Sequence, residues 1–213
     1  MRARAIVAVV LLVVASTLTW AALKRLSPPV HGVATPTLTP MAGAGVLSRV
    51  GLRIGSERAP FVVVEFADFQ CPACSVVVAT VDSLRRQYGD SLALVFRHLP
   101  LENLHLQARN AAIAAECAAT QGRFDEMYHT LYRRQAALGH VPWRQFAREA
   151  KVPDLNAFDS CLVDSSPDRR IQRDLALAES LHLSATPSFV VGGVLMRGVP
   201  SRGLLDSLLH RPP

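Results

Sequence analysis

Phe61-Val62-Val63-Val64-Glu65-Phe66-Ala67-Asp68-Phe69-Gln70-Cys71-Pro72-Ala73-Cys74 is the stretch whose reading decides the fold. Its first six residues are nearly all apolar and rich in β-branched side chains, the pattern of a central strand covered on both faces. A short loop leads to Cys71-x-x-Cys74, where Pro72 suits a first helical position. Ser75–Tyr88 reads as a helix ended by Gly89, and Ser91–His98, with Leu92, Leu94 and Phe96 alternating, as a second strand. Strand, helix and parallel strand make a βαβ unit, whose crossover is right-handed.

Toward the C-terminus the pattern turns helical: Leu104–Ala119, Phe124–Ala137, Pro142–Ala150 and a short segment over Leu155–Val163. Ser166 is expected to cap a further helix reaching about Leu183, with Pro167 in its first turn and Asp168 favouring its N-terminus. Ser188–Val191 and Val194–Arg197 flank Gly192-Gly193, a hairpin signal. Ser201 is expected to cap a last helix to His210. A βαβ unit, a helical insert, a helix, a hairpin and a closing helix around one sheet add up to an α/β, thioredoxin-like arrangement.

Toward the N-terminus, Ala5–Leu23 is 19 residues without a charge, 16 of them apolar. As a helix it spans about 28 Å, close to a hydrocarbon core. Arg2 and Arg4 precede it, Trp20 suits an interface, and Lys24-Arg25 closes it. Residues 1–25 are read as an uncleaved transmembrane anchor. A cleaved signal peptide is the alternative, although Thr19-Trp20-Ala21 is a poor cleavage site. Residues 26–45 hold Pro28, Pro29, Pro36 and Pro40 without periodicity and read as a linker. The folded domain is then expected over 46–213.

The charge balance follows from this division. The 213-residue chain carries 23 Lys+Arg against 17 Asp+Glu, a net of +6. Setting aside Arg2, Arg4, Lys24 and Arg25 leaves 19 basic against 17 acidic, a net of +2. The soluble part therefore makes no electrostatic case for nucleic acid. A composition half hydrophobic and 19% charged excludes a disordered chain. Four cysteines are too sparse for a disulfide scaffold.

Cys71-x-x-Cys74 carries the chemistry. Cys117 and Cys161 stand 44 residues apart, which argues against a four-thiolate zinc site, and the seven histidines show no ligand spacing. No metal and no bound cofactor are implied. A disulfide kept between Cys71 and Cys74 only for stability would gain little from closing so short a loop. Strand-to-helix placement favours redox chemistry: unpaired N–H groups and the helix dipole stabilise a thiolate at Cys71. Cys71 is expected to be the exposed attacking sulfur and Cys74 the buried resolving one. Glu65, a charge inside an apolar strand, is either an edge-strand carboxylate in solvent or a buried acid with a raised pKa that relays a proton with Cys74. Thr186-Pro187 is either an ordinary strand start or a cis-proline loop offering the Thr186 backbone to an extended client. Asp68 and Gln70 hold or cap the turn. Phe69 shapes either a substrate surface or the core.

The chain resembles the DsbA-type thioredoxin-fold disulfide oxidoreductases, especially their membrane-anchored or secreted bacterial branch. The resemblance rests on Gly55–Cys74, on Ala114-Ala115-Glu116-Cys117 through Gln121-Gly122-Arg123-Phe124, and on Thr186-Pro187-Ser188-Phe189, and covers about 50–210. It implies that Pro187 is cis, that Glu65 is the buried acid, and that about 101–165 is an inserted helical subdomain. It also implies client proteins with cysteines, catalysis outside the cytoplasm and, for an oxidase, a quinone-linked membrane partner. Ala73 stands where the best-known oxidase has His, so a potential between about −270 mV and about −120 mV is expected, and reductase or isomerase action is the alternative. In an oxidising compartment Cys117 and Cys161 are expected to pair as a structural disulfide, worth roughly 4 kcal/mol. A non-redox binding module on the same fold is the competing class.

Overall fold

The computed structural model describes residues 36–41 and 44–211. Six strands, β1 (Thr37–Pro40), β2 (Leu52–Ile54), β3 (Phe61–Ala67), β4 (Leu92–His98), β5 (Ser188–Val191) and β6 (Val194–Arg197), form one sheet in the order β1-β6-β5-β3-β4-β2. β3 and β4 are parallel, and the other neighbours are antiparallel. The helices are α1 (Pro72–Tyr88), α2 (Ala108–Ala119), α3 (Phe124–Arg133), α4 (Trp143–Glu149), α5 (Leu155–Leu162), α6 (Ser166–Ser180) and α7 (Arg202–Leu209).

Both sheet faces are covered, which is why β3 and β4 read as unbroken apolar runs. Period-two alternation divides their side chains. Val63, Ala67, Leu94, Phe96 and Phe189 pack with Cys74, Val77, Val81 and Leu84 of α1, with Leu205 of α7 and with the insert. Val64, Phe66, Val95, Val190 and Leu195 pack on the other face with Ala178 of α6, Leu183 and Leu47. Glu65 shares the parity of Val63 and Ala67 and so faces α1. Helices α2 to α5 lie between β4 and α6.

The structure differs from the sequence reading in several places. Thr37–Pro40, read as linker, is an edge strand on β6, paired from Thr37 opposite Arg197 to Pro40 opposite Val194. Leu52–Ile54 is a second edge strand, on β4. The helix expected from Leu104 begins at Ala108, because Leu101–Gln107 is a turn held from outside by Asp68 and Gln70. The helix expected to Ala137 ends at Arg133, followed by a tight turn over Gln135–Ala137. The helix expected to about Leu183 ends at Ser180. Ser166 is not its cap but its first residue; its amide donates to Asp164 Oδ1. Ser201 does cap α7, accepting from the Leu204 amide.

Among the described residues no helix is long and apolar enough to cross a membrane. The anchor expected over 1–25 lies outside the described residues.

Candidate redox site

β3 ends at Ala67, and the chain turns through Asp68-Phe69-Gln70 into Cys71, the residue before the first turn of α1. The turn has no freedom to drift. Asp68 is buried; its carboxylate accepts from the Gln70 amide at 2.7 Å and the Leu101 amide at 2.9 Å and pairs with His105 Nδ1 at 2.7 Å. Its carbonyl accepts the Cys71 amide at 3.1 Å. Gln70 Oε1 accepts the Gln107 amide at 2.6 Å. Phe69 is core, stacked on Phe96 at 4.8 Å. Asp68 and Gln70 thus hold the turn, and the substrate-surface alternative for Phe69 falls away.

The two sulfurs are unbridged and differ in environment. Cys71 is 6% exposed and Cys74 0%. The expectation of an exposed attacking sulfur is corrected to this extent: Cys71 is the outer of two buried thiols, because the Thr186 carbonyl covers it and accepts from its Sγ at 3.6 Å. A hydrogen bond from Cys74 brings the Cys71 thiol down to about 5. Burial opposes this, while the Thr186 side chain and the amides of Cys74 and Ala73 at the start of α1 support it. Burial pushes Cys74 well above the ordinary thiol range, reinforced by Cys71 and by the field of Glu65.

Glu65 is 0% exposed on a strand flanked by β4 and β5, so the edge-strand alternative is excluded. Burial raises its carboxyl to about 8; a hydrogen bond from Tyr128 lowers it in part and Asp82 adds to the rise. The Tyr128 hydroxyl donates to Glu65 Oε2 at 3.2 Å. Oε1 is buried with no partner among the described residues, a place for a proton.

The Thr186–Pro187 bond is cis, and the Thr186 carbonyl lies against Cys71. The structure therefore gathers Cys71, Cys74, Glu65, Thr186 and Pro187 at one end of β3. Cys117 and Cys161 lie elsewhere, bonded to each other with Cα atoms 5.7 Å apart, tying α2 to α5. Among the described residues no group of three His, Cys, Asp or Glu side chains is placed to hold a metal.

Two further residues reach this site from the insert and are not singled out by the sequence reading: Tyr128 and Gln135. Tyr128 belongs to a stripe, Phe124, Tyr128, Leu131 and Tyr132, that could have flagged a buried hydroxyl in need of a partner. Gln135 sits in a short turn, and nothing in its neighbours marks it.

A family described as thioredoxin matches residues 48–209. Among solved structures, the catalytic domain of Proteus mirabilis ScsC aligns with a TM-score of 0.64 at 21% identity, covering 75% of this chain and 89% of that one. A thioredoxin-like oxidoreductase from Silicibacter pomeroyi aligns at 0.61 and 26% identity, covering 73% and 88%. Pseudomonas aeruginosa DsbA2 aligns at 0.56 and 24%, covering 74% and 91%. A curated relative, the Na(+)/H(+) antiporter NhaA 1 of Mycolicibacterium gilvum, is 41% identical over 146 residues, 68% of this chain but 24% of the antiporter. The chain thus spans about a quarter of the curated relatives it matches. It belongs to the thioredoxin family and has the DsbA-type fold.

Proposed function

We propose that this thioredoxin-family chain is a thiol–disulfide oxidoreductase that exchanges disulfides with cysteine-containing client proteins outside the cytoplasm, working as a dithiol oxidase. The single observation that carries the reading is the split between the sulfurs: an outer Cys71 stabilised as thiolate and a buried Cys74 held as thiol. A low-pKa thiolate is a good leaving group, and its stability in the reduced form favours giving the disulfide away.

In the oxidised enzyme a client thiolate attacks Cys71 Sγ. The Cys71–Cys74 bond breaks, a client–Cys71 disulfide forms, and Cys74 leaves with the electron pair. Glu65, protonated to about pH 8, gives Cys74 a proton. A second client thiolate then attacks the client sulfur and expels Cys71 as a stabilised thiolate. The client has lost two electrons and the enzyme has gained them. The Thr186 carbonyl, beside Cys71, offers an acceptor to a client segment lying extended along it.

Two further features support the cellular setting. A structural Cys117–Cys161 disulfide fits an oxidising compartment. One neighbour is described as a periplasmic thioredoxin-like protein from Salmonella enterica. In this reading residues 1–25 anchor the domain as a single pass, and a quinone-linked membrane partner takes the two electrons.

The test is refolding of a reduced, multi-cysteine client with the oxidised protein. Wild type forms client disulfides stoichiometrically. Cys71→Ser forms none, and Cys74→Ser, loaded as a mixed disulfide with glutathione, accumulates client–Cys71 adducts. Equal client oxidation by wild type and Cys71→Ser would overturn the assignment and favour a binding module.

A further inference from the structure

The tight turn over Gln135–Ala137 follows α3, 64 residues beyond Cys71 in sequence, yet Gln135 reaches the redox turn. Its Nε2 donates to the Phe69 carbonyl at 2.8 Å and to the Cys71 carbonyl at 2.9 Å, which uses both amide hydrogens. The Cys71 carbonyl has two other donors, the Cys74 amide at 3.1 Å and the Ser75 amide at 3.4 Å. Gln135 makes the shortest of the three contacts; the two helix-opening bonds are longer.

This division matters because a carbonyl oxygen has two lone pairs and three donors share them. The more firmly Gln135 holds the Cys71 oxygen, the less the Cys74 N–H is committed to it. The same N–H is one of the groups that face the Cys71 sulfur.

We infer that Gln135 is a positioning residue for the redox centre: its amide pins the Phe69 and Cys71 carbonyls and leaves the first amides of α1 aimed at the Cys71 sulfur. It does not touch a client or a reacting atom and acts through the backbone of Cys71. The inference rests on the reading of Cys71 as the attacking sulfur, and it extends that reading by making the helical insert part of the centre. Tyr128, on the helix just before Gln135, bonds Glu65, so one segment of the insert contacts both the thiolate turn and the buried acid.

The experiment follows the thiolate absorbance of the reduced protein as pH is varied, with Cys71→Ser as the baseline that assigns the signal. Wild type has its midpoint at about 5. Gln135→Ala removes both donors, and the midpoint rises by about 0.5 to 1 unit, the worth of one backbone hydrogen bond. Gln135→Glu, nearly isosteric and so foldable if the alanine variant is not, removes the donors and adds a negative charge, and moves it further up. Gln135→Lys restores a donor with a positive charge, and its midpoint lies at or below that of wild type. A residue that only braces the fold would lower the unfolding temperature without this ordering by charge and donor. Folded variants that all share the wild-type midpoint, or a Lys variant that rises with the Ala variant, would overturn the inference. Because the midpoint is read without a client, a loss of client oxidation in a protein whose midpoints follow this order bears on the oxidase reading and leaves the inference standing.

Discussion

Replacing Glu65 by Gln keeps the shape of the side chain and removes its titration. In the folded protein burial holds the carboxyl at about 8, against 4.5 for the ordinary group. Between these values the unfolded chain releases a proton that the folded chain retains. Stability therefore falls as pH rises from about 5 to about 8, by roughly 1.4 kcal/mol per pH unit. The whole interval corresponds to something on the order of 5 kcal/mol. The sign follows from the raised pKa: the contribution is fully present below the unfolded value and lost as pH passes the folded one. Cys71, shifted the other way, and His129, shifted up to about 10 by Asp125 and Asp82, titrate in both proteins and cancel in the difference. The Tyr128 hydroxyl can still donate to the Gln carbonyl. Urea unfolding of both proteins, reduced, at several pH values between about 5 and 8 supplies the comparison. The Gln variant gains on wild type steadily as pH rises. A wild-type minus variant difference that stays flat across that range would show that Glu65 is ionised in the fold, and the proton-relay argument would fail with it.

Three other outcomes follow from the geometry. The rate of alkylation of the reduced protein rises through a midpoint at about pH 5 and maps to Cys71, with Cys74 unmodified in the folded state; a midpoint near that of a free thiol would contradict the stabilised thiolate. Replacing Cys117 and Cys161 together by Ala lowers unfolding free energy by about 2–5 kcal/mol in denaturant titration, while client oxidation persists. Asp174→Ala strands Arg97, whose Nη1 lies 2.7 Å from the Asp174 carboxylate in a site almost closed to water, and should cost about 3–5 kcal/mol by the same measurement. Asp174→Asn, which keeps the acceptor for the His98 amide, should cost less.

How much of this was legible beforehand depended on whether the signal was local. Val62-Val63-Val64 could be read as a covered strand because both sheet faces are in fact packed, and Glu65 stood out because a charge in such a run is costly. Cys71-x-x-Cys74 declared itself as a motif, whereas Thr186-Pro187 stayed open on local sequence and was settled as a cis-proline loop only through the family resemblance and then the fold. The two edge strands did not. Thr37–Pro40 is four exposed residues among prolines, and Leu52–Ile54 is three residues long, so neither shows a period against its surroundings. The boundary at Ala108 was set by Asp68 and Gln70, more than 30 residues away. Gln135 and the Arg97–Asp174 pair are likewise contacts between distant segments, and polar residues in helices and turns give no sign of what they will meet.

The most direct test of the central claim is the equilibrium of the Cys71–Cys74 pair with glutathione, read by mass after acid quenching. With the Cys71 thiolate stabilised but Ala73 unable to add an imidazolium, the account predicts reversible formation of one Cys71–Cys74 disulfide with a potential above about −270 mV and below about −120 mV. A potential at or below the thioredoxin value would contradict the oxidase direction. A failure of the two sulfurs to pair at any glutathione ratio would contradict the redox centre itself.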